Sequence, residues 1–176
     1  MNLSQVLLNH GINTDNWSHD LGTKSIIDLQ AEIDSGEARL ESIEGILTRV
    51  VKVVTIVINV GLGDKLFILV EDKQIFFTGA IRQRGLKNIA EKLKPDETPL
   101  AGAQRALQEE ICLDFDGEWI SIGEEMKQQN SPSYPGLNSC YQMFNYQIIL
   151  SAADLSKLRF AEVMNEKIAL FTLEPV

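Results

Sequence analysis

The segment TRVVKVVTIVINV, Thr48 to Val60, constrains the fold more than any other part of the chain. Its β-branched side chains are stiff and crowded in a helix but fill the pleated surface of a sheet. Lys52 interrupts it, and it is far shorter than the ~20 apolar residues of a membrane-spanning helix. Gly61-Leu62-Gly63-Asp64 ends it with a turn signal. KLFILVEDKQIFFTG then predicts a strand, a turn at Asp72-Lys73 and a second strand closing at Gly79, and GAIRQRGL predicts a further short strand.

Downstream, a helix is expected from Thr98 to Ile111 and a strand from Asp116 to Glu125. KQQNSPSYPGLNS, residues 127–139, carries two prolines and a glycine and is expected as a loop. CYQMFNYQIIL predicts a strand, SAADLSKL a helical turn or helix and KIALFTLE a closing strand. Upstream, residues 1–45 are expected to form an N-terminal helical extension. Ile26, Ile27, Leu29 and Ile33 there approach helical spacing, with Thr23 or Ser25 as a start and Gly36 as a stop. The economical architecture is α/β: a mixed sheet between helices over residues 46–176, with the extension attached.

Composition narrows the function. A net charge of −9 and a pI near 4.7 argue against nucleic-acid binding, which recruits clustered Lys and Arg. Cys112 and Cys140 are the only cysteines, so a reducing compartment is expected rather than a disulfide framework. Only His10 and His19 could join them, and neither spacing resembles a zinc site. The N-terminus lacks the pattern of a signal peptide. A cytoplasmic protein without membrane association is the expectation.

The helix from Thr98 carries the candidate chemistry. Thr98 suits an N-cap and Pro99 the first helical position. At ~100° per residue, Leu100, Ala103, Leu107 and Ile111 form one stripe expected to pack on the sheet, with Glu109 nearly opposite. Ala106 lies on the face of Glu109 and Glu110, and Arg105 can pair with Glu109. Adjacent acids at a helix C-terminus are unfavourable for the macrodipole and for each other. They are either a solvated pair or a site for a hard cation such as Mg²⁺.

The wider pattern resembles the signature of the Nudix superfamily, G-x5-E-x7-R-E-U-x-E-E-x-G-U with U aliphatic. Aligned without gaps, Glu97, Arg105, Leu107, Glu109, Glu110 and Leu113 match in register. Three positions depart: Glu91 and Cys112 replace glycines, and Ala106 replaces the Glu that follows Arg. The stretch SPSYPGLNSCY, residues 131–141, also resembles a loop in Nudix-like proteins of cyanobacteria and plastids.

The resemblance implies that Glu109 and Glu110 hold Mg²⁺ or Mn²⁺ against a pyrophosphate, while Glu97 and Arg105 pair to lock the loop onto the helix. It also implies a degenerate box. The acid missing at Ala106 is a metal ligand in that family, and its loss should exceed the ~10–100-fold effect of losing a partner one shell further out. Glu91 and Cys112 would cost ~1–2 kcal/mol if a left-handed backbone were kept, so a changed loop geometry is expected. Glu125, or its neighbour Glu124, could substitute as a ligand. Arg82 and Arg84, two apart on a strand and near Lys87, Lys92 and Lys94, are candidates for binding phosphates. Tyr134 could cover a pocket or stack on a base. Two functions remain open: a regulatory module binding a nucleotide-like molecule or a protein partner, or a Mg²⁺- or Mn²⁺-dependent hydrolase of a nucleoside diphosphate derivative.

Overall fold

The computed structural model describes residues 2–176. Two helices open the chain, α1 (Leu3–Asn9) and α2 (Ile26–Asp34). They are followed by β1 (Ala38–Ile43), β2 (Ile46–Leu62), β3 (Lys65–Phe76), β4 (Ile81–Leu86) and β5 (Ile89–Lys92). After α3 (Pro99–Ile111) come β6 (Ile120–Asn130), β7 (Asn138–Leu150), α4 (Ala152–Leu155), β8 (Ala161–Val163) and β9 (Lys167–Pro175). Hydrogen-bonded neighbours run β6-β7-β2-β3-β9-β8, with β1 and β5 also on β2 and β4 also on β3. This is the α/β architecture expected from the β-branched runs and the helix between them. No helix among the described residues is long and apolar enough to cross a membrane.

Two compact units alternate along the chain. One comprises the residues up to Val53 with 92–97 and 124–143; the other comprises 54–91, 98–123 and 144–176.

In the first unit, Ser25 caps α2 through a capping box with Asp28, which satisfies backbone donors that the helix start leaves open. The expected extension is not all helix: β1 pairs antiparallel with β2 from Ala38↔Val51 to Ile43↔Ile46. Leu7, Ile12, Trp17, Leu29, Leu47, Tyr134 and Leu137 make an apolar cluster. The expected 127–139 loop is shorter, because β6 continues to Asn130, and its remainder docks on the N-terminal segment. Lys24 N donates to Ser133 O at 2.9 Å, and Trp17 Nε1 donates to Pro135 O at 2.9 Å.

A buried charge sits beside this cluster. The Arg49 guanidinium forks onto Glu32, with both side chains buried. Lys24 and Lys92 reach the other Glu32 oxygen at 2.6 and 3.1 Å. Burial pushes the Glu32 carboxyl up, but the hydrogen bonds from Lys24 and Arg49 overcome it and hold the group at about 2.

In the second unit, β3 runs unbroken where a turn at Asp72-Lys73 was expected. A β-bulge takes its place, shifting register between Glu71 and Lys73 against both β4 and β9. Polar residues at a bulge resemble a turn in sequence, because both interrupt apolar alternation. Thr98 caps α3 through Ala101 N, and Pro99 begins it, as expected.

Glu32→Gln should destabilise the protein by about 3–5 kcal/mol, because it leaves a buried guanidinium uncompensated. Glu32 is depressed below its unfolded value, so its contribution is present above about pH 4.5 and is lost as pH falls towards 2. Urea unfolding of wild type and variant should therefore differ most at neutral pH and converge in acid.

Candidate functional site: an acidic cavity beside α3

α3 buries Gly102, Ala103, Ala106, Leu107 and Ile111. Leu100, assigned to the packed stripe by spacing, is 38% exposed instead. The buried face is therefore centred about 50° towards Ala106 from the expected direction, at ~100° per residue. Glu110 lies within that face by angle, and Glu109 and Arg105 lie beside it. Accordingly Glu109 is 51% exposed and takes a hydrogen bond from Arg105 Nη1 at 2.9 Å. Arg105 also approaches Glu91 at 3.6 Å.

Glu110 instead lines a cavity of about 280 Å³ with Glu71, Glu91 and Glu162, together with Arg84, Gln74 and Lys167. The bulge in β3 positions Glu71. Gln74 Nε2 donates to Glu71 Oε1 at 2.7 Å, and Lys167 Nζ donates to Gln74 Oε1 at 3.3 Å. Arg84 Nε lies 3.4 Å from the Glu71 carboxylate. Four acids thus face two bases. Burial pushes the Glu110 carboxyl up to about 8, reinforced by repulsion from Glu162, Glu71, Glu91 and Glu109. Burial, then Glu71, raises Glu162 as well, against the opposing pull of Lys167.

The donor set suits a hard divalent cation, which is bound by carboxylate oxygens and would relieve the excess negative charge. Among the described residues, however, no three His, Cys, Asp or Glu side chains converge as a preformed metal site. The carboxylates would have to draw together on the ion.

Arg82 is exposed on β4 and does not line the cavity. Glu97, in the other unit, accepts a hydrogen bond from Lys94 N at 2.9 Å. Glu124 and Glu125 are exposed on the part of β6 that belongs to that unit.

Tyr134 is a correction. It is 0% exposed, its ring is 5.1 Å from that of Trp17, and Arg49 lies over it at 5.3 Å. It cannot stack on a ligand at the surface. Cys112 is another correction, because it keeps the left-handed conformation with φ 54° and closes α3 through its N–H to Leu107 O. Glu91 has no positive φ and lies in β5. Glu71, Glu162 and Lys167 were missed by sequence reasoning; only the bulge-forming polar break after Val70 signalled one of them.

No family model matches the chain, and no curated protein matches it by sequence. In structure it is similar to the NUDIX domain of Shewanella oneidensis NrtR complexed with ADP ribose. Identity there is 10% over 70% of this chain and 71% of that one, with a TM-score of 0.48. It is similar to a mutT/nudix family protein from Listeria innocua, with 20% identity, 70% and 77% coverage and a TM-score of 0.45. A C. elegans Ap4A hydrolase in a binary complex gives 16% identity, 68% and 79% coverage and a TM-score of 0.39.

Two outcomes are expected. Glu110 is raised above its unfolded value, so folding takes up a proton between about pH 4.5 and 8. Without added metal, stability should fall by about 2 kcal/mol between pH 6 and 8, and Glu110→Gln should flatten that slope in urea titrations. Cys112→Gly relieves the left-handed strain and should raise the unfolding free energy by about 1 kcal/mol.

Proposed function

We propose that the chain is a Nudix-like regulatory domain. Its acidic cavity binds a nucleotide or other pyrophosphate-type ligand with a divalent cation and hydrolyses it little or not at all. The observation that carries this reading is the complete burial of Ala106. The position where the resembling signature has a carboxylate is here part of the helix core, and Glu109 is held outward by Arg105. Glu110 is the one acid of the helix that lines the cavity.

Mg²⁺ or Mn²⁺ would be held by Glu110 with Glu71 or Glu162, and Glu109 could join only by releasing Arg105. Such an ion supplies charge neutralisation at phosphate oxygens and a more acidic bound water. Arg84 and Lys167 are suited to holding phosphate oxygens once the cation has neutralised the acids around them. Arg82, on the same strand, is available to a part of the ligand lying outside the cavity.

A working hydrolase is the alternative, in which a cavity carboxyl left free of the cation, raised by burial as Glu162 is, serves as the general base.

Thermal stability with Mg²⁺ or Mn²⁺ across a panel of nucleoside diphosphate derivatives, followed by chromatography of each stabilising compound, separates the readings. A stabilising compound recovered intact is the expected result, and Glu110→Gln should abolish its effect. Metal-dependent cleavage lost in Glu110→Gln would establish the hydrolase instead. No response to any compound or metal would exclude both and leave a protein partner.

A further inference from the structure

β6 stands at one end of the strand order, bonded to β7, and every residue from Ile120 to Asn130 is exposed. Edge strands are normally blunted, because their free N–H and C=O groups accept another strand. The part of β6 in the first unit, 124–130, contains no proline and carries Met126 at 63% exposure.

We propose that residues 124–128 of β6 pair antiparallel with the same residues of a second copy of this chain, about a two-fold axis through Met126. In such a junction the axis stands perpendicular to the sheet, so directly opposed residues share a face. Every allowed register is then centred on one residue. Centring on Glu124 or Glu125 opposes that carboxylate with itself, and centring on Lys127 opposes two ammonium groups. Centring on Met126 opposes Glu125 with the second copy's Lys127 twice over, Glu124 with Gln128, and Met126 with itself. Charge complementarity favours this register, and like charges directly opposed would resist centring on Glu124, Glu125 or Lys127.

The face bearing Lys127 and Gln129 also holds Val53, Tyr141 and Met143 around a depression of about 190 Å³, which side chains of the second copy would help to cover. The junction is small, so a weak, concentration-dependent dimer is expected. It uses no residue of the acidic cavity, and it gives Glu125 a different task from the ligand role that the family resemblance suggested.

Sedimentation of the full chain from micromolar to about millimolar concentration tests this. A reversible dimer is expected. Lys127→Glu should weaken it about tenfold or more by opposing carboxylates, and combining Lys127→Glu with Glu125→Lys should restore it. These positions are exposed, so unchanged melting curves will show that the variants fold. A monomer at the highest concentration overturns the proposal and leaves the edge to another protein's strand. So does a dimer unaffected by Lys127→Glu.

Discussion

The burial of Gly102, Ala103, Ala106, Leu107 and Ile111 fixes the roll of α3 about its axis, and that roll decides where each acid of the helix points. With Ala106 in the core, Glu110 turns into the cavity and Glu109 is left at the surface beside Arg105. A carboxylate at 106 would have to be buried next to an acid already pushed up by its surroundings, at a cost of several kcal/mol without a partner. Alanine resolves that conflict by removing a charge. The remaining acids come from β3, β5 and β8, so the negative charge of the site is spread over several elements rather than concentrated on one helix.

The first unit answers a different problem. Its N-terminal helices are short and bury little on their own, so they are held by long-range partners. Arg49 from β2 neutralises Glu32 of α2, and Tyr134 fills the space between Trp17 and Arg49. The 131–137 turn is thereby an anchor for the extension. Burial raises the Tyr134 hydroxyl, so the ring serves this packing as a neutral group.

Much of the secondary structure was legible in the sequence. The β-branched run, the Gly61–Asp64 turn and the Thr98-Pro99 start of α3 each rest on local sterics that tertiary contacts did not override. The roll of α3 was not legible. Apolar spacing gives Gly102 and Ala106 little weight, yet small residues are the ones that let a helix approach its neighbours closely. Tyr134 was misread because proline-flanked loops are normally at the surface, and nothing local announces Trp17 and Arg49 as its partners. Glu71 and Glu162 lie far from the helix in sequence and meet its acid only through β3–β9 and β8–β9 pairing. The left-handed Cys112 shows that a missing glycine need not change a backbone when the helix end fixes it.

As a proposed cation site, Glu110 and its neighbouring carboxylates would have to lose a proton to fill. Calorimetric titration of Mn²⁺ into the protein at pH 6 and at pH 8, in buffers of different ionisation enthalpy, measures binding and proton release together. Tighter binding is expected at pH 8, with about one proton released per ion at pH 6 and loss of both in Glu110→Gln. Binding of equal strength at both pH values without proton release, or binding that survives Glu110→Gln, would contradict it.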